Sequence, residues 1–90
     1  MKMERDSILQ KLKQFVIEQS NLEDASFLQS DTELFEAGLL DSLMTVSLVS
    51  FCEEQFDCQM DIDELSQDNF RTLNALTDFI SRKLEAKMRG

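Results

Sequence analysis

Gly38 is the only internal glycine among ninety residues, and the chain contains no proline. It is therefore the one internal position where an unusual backbone angle comes cheaply. Around that single break, apolar residues recur at helical spacing. A first helix is predicted over about 6–19, with Ile8, Leu12, Phe15 and Val16 on one face, Leu9 beside them, and Ser20-Asn21 closing it. A second is predicted over about 42–55, with Leu43, Val46, Val49 or Ser50, and Phe56 tracing a stripe widened by Leu48 and Cys52. A short third helix is expected at about 61–66 around Ile62-Asp63-Glu64-Leu65. A last one is expected over about 72–86 on Leu73, Leu76, Phe79, Ile80 and Leu84. Arg82, Lys83, Lys87 and Arg89 near its end complement the helix dipole.

The connection over 21–40 carries Leu22, Phe27, Leu28, Leu34, Phe35, Leu39 and Leu40, so it is expected to pack onto the helices rather than float, with a short turn within 31–35. Nothing alternates as a strand would. The expected fold is all-α, a single domain over 1–90: a four-helix bundle with a long first connection and a short third helix.

The net charge of −9 is unevenly placed. Every Lys and Arg lies in the first thirteen or the last twenty positions, and residues 14–70 hold fourteen acids and no basic residue. Such a surface repels nucleic acid and anionic lipid and steers toward basic protein patches. No stretch approaches the roughly 20 apolar residues of a membrane span, and the mixed charge of residues 1–6 does not resemble a secretory leader. The expectation is a cytoplasmic protein without membrane insertion, acting as a monomer.

Several chemistries lack their parts. There is no His, and Cys52 and Cys58 form no CxxC pair, which leaves a structural zinc site short of ligands. Cys52 falls on an apolar stripe and reads as core; Cys58, after Asp57, reads as a loop residue open to solvent. Neither has an activating neighbour. Serine hydrolysis lacks a base. Loops beginning at Asp57 or Asp61 miss the glycine an EF-hand needs at its sixth position, and the second also misses the fifth-position oxygen ligand. No metal site is expected.

One segment remains, Gly38-Leu39-Leu40-Asp41-Ser42-Leu43. Asp41 or Ser42 can cap the second helix, and spacing alone favours that plain role. The same position also offers what an attachment serine requires: an exposed hydroxyl on a rigid element, where an added anion would face spare N–H donors and the positive end of the dipole.

Asp41-Ser42-Leu43, with Thr45-Val46, Leu48-Val49 and Glu53-Glu54-Gln55-Phe56 following, resembles the modification helix of acyl and peptidyl carrier proteins. The run from Leu34 to Ser42 is similar in particular to D-alanyl carrier proteins of teichoic acid modification and to related free-standing aminoacyl carriers. The similarity extends to Phe56-Asp57 and, more loosely, to Phe70-Arg71-Thr72-Leu73-Asn74. It implies a non-enzymatic carrier whose Ser42 receives 4′-phosphopantetheine from coenzyme A through a separate phosphopantetheinyl transferase, with Asp41 engaged during that transfer. The cargo would be an aminoacyl group, D-alanyl among the candidates, held as a thioester. An adenylating ligase would load it and a downstream transferase or synthase would remove it. Leu43, Met44 and Ser47, with Glu53 and Glu54, would meet partner enzymes.

Fatty-acid carriers have an acid five positions after the modified serine, where this chain has Ser47, and many relatives have a proline after the second helix that is absent here. The alternatives are a fatty-acid or polyketide carrier and, in a different class, an unmodified acidic helical adaptor.

Overall fold

The computed structural model describes residues 4–20, 26 and 28–89, the side chains of Ile62, Met88 and Arg89 apart. Leu22, Phe27 and Asn21 lie outside the described residues. Four α-helices follow one another: α1 (Arg5–Ser20), α2 (Ser42–Phe56), α3 (Gln67–Phe70) and α4 (Leu73–Arg89). Among the described residues there is no strand.

The third helix sits later than its apolar cluster suggests. Residues Ile62–Glu64 make only one 3-10 turn, and α3 follows it. The reason is local. Ser66 accepts from the Asn69 N–H and caps a new helix at Gln67, while Glu64 reaches back to the Asp61 N–H and closes the earlier turn on itself.

Ile8, Leu12 and Val16 form the fully buried stripe of α1, at spacings of four. They meet Leu73, Leu76, Phe79 and Ile80 of α4 in one core cluster, joined by Leu28, Leu34, Leu39 and Leu40 from the first connection. That connection does pack down.

In α2 the buried stripe is Leu48, Cys52 and Phe56. Leu43 and Val46 instead face solvent, 78% and 63% exposed, which corrects the stripe expected through them. At about 100° per residue, Leu48, Cys52 and Phe56 lie on the side of the helix opposite Leu43. The helix is apolar on both sides, so its own pattern does not select the buried one.

Arg5, at the start of α1, donates to Asp78 and Asn74 near the start of α4. Phe15, late in α1, stacks on Phe51, late in α2, at 4.2 Å between centroids. Lys87, late in α4, binds the Asp57 carboxylate just past the end of α2 at 2.7 Å. The three long helices therefore run in one general direction. Both connections must carry the chain back along the bundle, roughly 20 Å for a helix the length of α2, and this is why neither can be a tight turn.

Cys58 is buried, not open to solvent. Asp57 ends α2 in the left-handed conformation, with φ of 49°. A left-handed residue after a helix folds the next residue back toward the last turns, which carries the Cys58 side chain into the core. Burial pushes both thiols above the usual range, Cys52 furthest. Two basic residues of α4 are used for pairing: Lys83 binds Glu64 at 2.6 Å and Lys87 binds Asp57. These contacts tie the returning acidic segment to α4, a role beyond complementing a dipole. Among the described residues, no helix is long and apolar enough to cross a membrane.

Candidate functional site

The approach to Ser42 is built from the one-turn segment Leu34–Ala37. The Ala37 N–H donates to the Glu33 carbonyl, the Gly38 N–H to Phe35, and the Leu39 N–H to Leu34 at 2.9 Å. This pair of closing bonds, with Gly38 at φ of 77°, is a Schellman ending. It takes up the helical carbonyls and reverses the chain. A Cβ at Gly38 would meet nothing within 4 Å, so glycine is needed for its backbone angle and not for space. Leu39 and Leu40 then drop into the core and fix the two residues that follow.

Asp41 is the N-cap of α2. Its Oδ1 accepts from the Met44 N–H at 2.8 Å, and its carbonyl accepts from the Thr45 N–H at 2.9 Å and the Thr45 hydroxyl at 2.7 Å. Ser42 is consequently the first helical residue and not the cap. It is exposed, and among the described residues no hydrogen bond engages its hydroxyl. The N–H groups of Ser42 and Leu43 likewise have no helical partner, as the geometry of a first turn requires. A hydroxyl with two free donors beside it, at the positive end of a four-turn helix, fits a covalently added phosphate: the new charge would be met by the dipole and the donors.

Beside Ser42 runs an open groove of about 430 Å³, lined by Phe35, Asp41, Thr45, Leu65, Ser66, Gln67 and Phe70 as well as Ser42 itself. Phe35 and Leu65 are the members that the sequence marks only as apolar residues of the first connection and of the expected third helix, with no local signal that they would border Ser42.

The sequence-predicted site residues do not all gather there. Leu43, exposed, and Met44 and Ser47, half-buried, lie within the first two turns beside Ser42. Glu53 and Glu54 lie at the other end of α2, roughly 16 Å along its axis from Ser42. Glu54 is exposed, whereas Glu53 is half-buried and accepts from the Met60 N–H at 3.2 Å, holding the chain after Cys58. Glu53 thus has a structural duty of its own.

The turn at Leu34–Gly38 and the free serine after it lie within the stretch over which the chain matches a known family. The family described as Phosphopantetheine attachment site matches residues 10–80, and the chain belongs to it: a carrier protein bearing phosphopantetheine and served by partner enzymes. Its relatives include the D-alanyl carrier protein of Streptococcus sanguinis (strain SK36), 35% identical over 66 residues, which are 73% of this chain and 82% of that one. The D-alanyl carrier proteins of Streptococcus gordonii and Streptococcus mutans are 33% and 35% identical over the same lengths.

Proposed function

We propose that Ser42 is the attachment site and that the chain is a single, non-catalytic aminoacyl carrier domain over 1–90, working as a monomer in the cytoplasm. The observation that carries this reading is the unengaged hydroxyl at the first helical position of α2, set between a free N–H pair and an open groove. When bound, phosphopantetheine supplies a terminal thiol that holds cargo as a thioester. The chain contributes position. Ser42 Oγ is the atom that would bond to the phosphorus next to pantetheine in coenzyme A, losing its proton as the pyrophosphate P–O bond breaks and adenosine 3′,5′-bisphosphate leaves. Asp41, with Oδ1 occupied by the cap, has its second oxygen for a metal ion brought by the transferase. Cys52 and Cys58, both buried with raised thiol pKa, do not compete for cargo.

An aminoacyl cargo is favoured over a fatty acyl one. The relatives are named D-alanyl carriers, and Ser47 stands where fatty-acid carriers have an acid. D-alanyl is the first cargo to try. An adenylating ligase loads it and a downstream transferase or synthase collects it. Leu43, Met44 and Ser47 form the contact next to the thioester arm, and Glu53 and Glu54 an acidic second contact. Acidic surfaces of this kind speed encounter with basic partners without requiring slow release.

Intact mass after incubation with coenzyme A and a broad-specificity phosphopantetheinyl transferase tests the reading. The expected result is a gain of one phosphopantetheinyl group that is absent in Ser42→Ala. An unchanged wild-type mass would favour the unmodified adaptor. Offering the modified protein amino acids with an adenylating ligase, and malonyl donors with their transferase, separates the two kinds of cargo.

A further inference from the structure

We infer that Arg71 is a positioning residue for the attachment turn, holding the connection that leads to Ser42 against the start of α4; the inference rests on the Ser42 reading above. Arg71 is the first basic residue after Lys13. It stands just outside the acidic stretch, and the later cations Arg82, Lys83 and Lys87 are two or more turns further along α4.

Its grip is double. The Nε donates to both carboxylate oxygens of Glu33, at 2.8 and 2.7 Å, and the Nη2 reaches the same group. Its backbone carbonyl accepts from the Leu34 N–H at 2.9 Å, and the Asn74 N–H donates to the Ser30 carbonyl at 2.9 Å close by. Side chain and main chain of one residue therefore hold the neighbouring positions Glu33 and Leu34, far back along the chain, at the base of the turn that ends in Gly38.

The surroundings make the charge matter. Glu33, Glu36 and Asp68 line one hollow of about 280 Å³ with Phe35, Gln67 and Arg71. Three carboxylates surround one guanidinium, Glu33 in direct contact and Glu36 and Asp68 acting on it only at longer range. Without it, like charges on the Glu33–Glu36 turn and on α3 would push those two elements apart. Phe35 and Gln67 also line the groove beside Ser42, so the two hollows share a wall, and separation there would shift the approach to α2. Exposed ion pairs contribute little to global stability, and Arg71 is mostly exposed. Its removal is therefore expected to alter position more than folding. The planar fork is specific to arginine, and lysine supplies charge without it.

The test uses the apo chain as substrate, with coenzyme A and the broad-specificity transferase. Arg71→Gln should lower kcat/KM for modification about tenfold while the unfolding midpoint stays near wild type, and Arg71→Lys should recover part of the loss. Adding Glu36→Gln and Asp68→Asn to Arg71→Gln should restore at least half, since the repulsion is then gone. In the free apo protein, before any partner is added, amide signals of Phe35–Leu43 should move in Arg71→Gln and return in the triple variant. Unmoved amide signals with reduced kcat/KM would mean direct contact with the transferase and would overturn the inference, as would kcat/KM within twofold of wild type or a loss that tracks the unfolding midpoint. If wild type is not modified at all, the Ser42 reading fails, and the amide signals still decide the role of Arg71.

Discussion

The two ends of α2 are held by opposite means. At the end of the helix, Phe56 and Cys58 are buried, Glu53 ties down the Met60 backbone, and Lys87 bridges from α4 to Asp57. At the start, Leu43 and Val46 stand in water and the Ser42 hydroxyl has no partner among the described residues, with order coming from below through Leu39, Leu40 and the Asp41 cap. A carrier needs both. The closed end fixes the helix, and on the reading proposed here the open end is left for partner enzymes, since no described residue covers Leu43 or Val46. Exposed apolar side chains at that end lower the desolvation cost of partner contact.

The contrast is sharpest between two residues two positions apart. Leu48→Ala should cost about 2–5 kcal/mol by urea unfolding, because a side chain with no exposure leaves a cavity. Val46→Ala should stay within about 0.5 kcal/mol and instead weaken transfer to or from partner enzymes. Equal stability losses would erase the distinction between the two faces.

Gly38→Ala should destabilise by about 1–2 kcal/mol in the same assay, since a left-handed angle is costly for any residue with a Cβ. A neutral outcome would mean that the turn before Ser42 can be rebuilt another way.

On the closed side, the hydroxyls of Thr77 and Ser81 are buried on one face of α4, with no partner among the described residues. Thr77→Val keeps the shape and removes an unpaired group, so it should stabilise by about 1 kcal/mol and raise Tm by roughly 4–8 °C. A drop in Tm would reveal that water serves that hydroxyl.

The smallest effect concerns acid. Arg71, Lys83 and Lys87 hold the carboxyls of Glu33, Glu64 and Asp57 below their ordinary values, chiefly through direct hydrogen bonds. Depressed folded pKa values mean a contribution fully present above the unfolded values of about 4 and lost as pH falls through the folded ones. Unfolding midpoints should be flat from pH 7 to about 5 and decline below about 4. The Lys87–Asp57 pair is exposed, the Arg71–Glu33 pair partly so and the Lys83–Glu64 pair part-buried, so the decline should also shrink at high salt, most for the exposed pair.

Much of this was readable from residues alone. Spacings of three and four mark α1, α2 and α4, and the lone internal glycine before Asp-Ser marks the turn and the helix start. These signals are local: they depend on neighbours within one turn, where periodicity and capping act. The role of Asp41 as cap, leaving Ser42 free, belongs almost to this class, because either residue can cap and only the observed bond to Met44 decides between them.

What the tertiary structure decided involves partners far along the chain. α2 is apolar on more than one side, and only the arrival of α1 and α4 selected Leu48, Cys52 and Phe56 for burial over Leu43 and Val46. Cys58 went inside because one residue adopted a left-handed angle, and Arg71 met Glu33 across 38 residues. Periodicity gives the faces a helix possesses. Which face is covered is a matter of what other segments bring to it, and that free energy exists only once the chain has closed on itself.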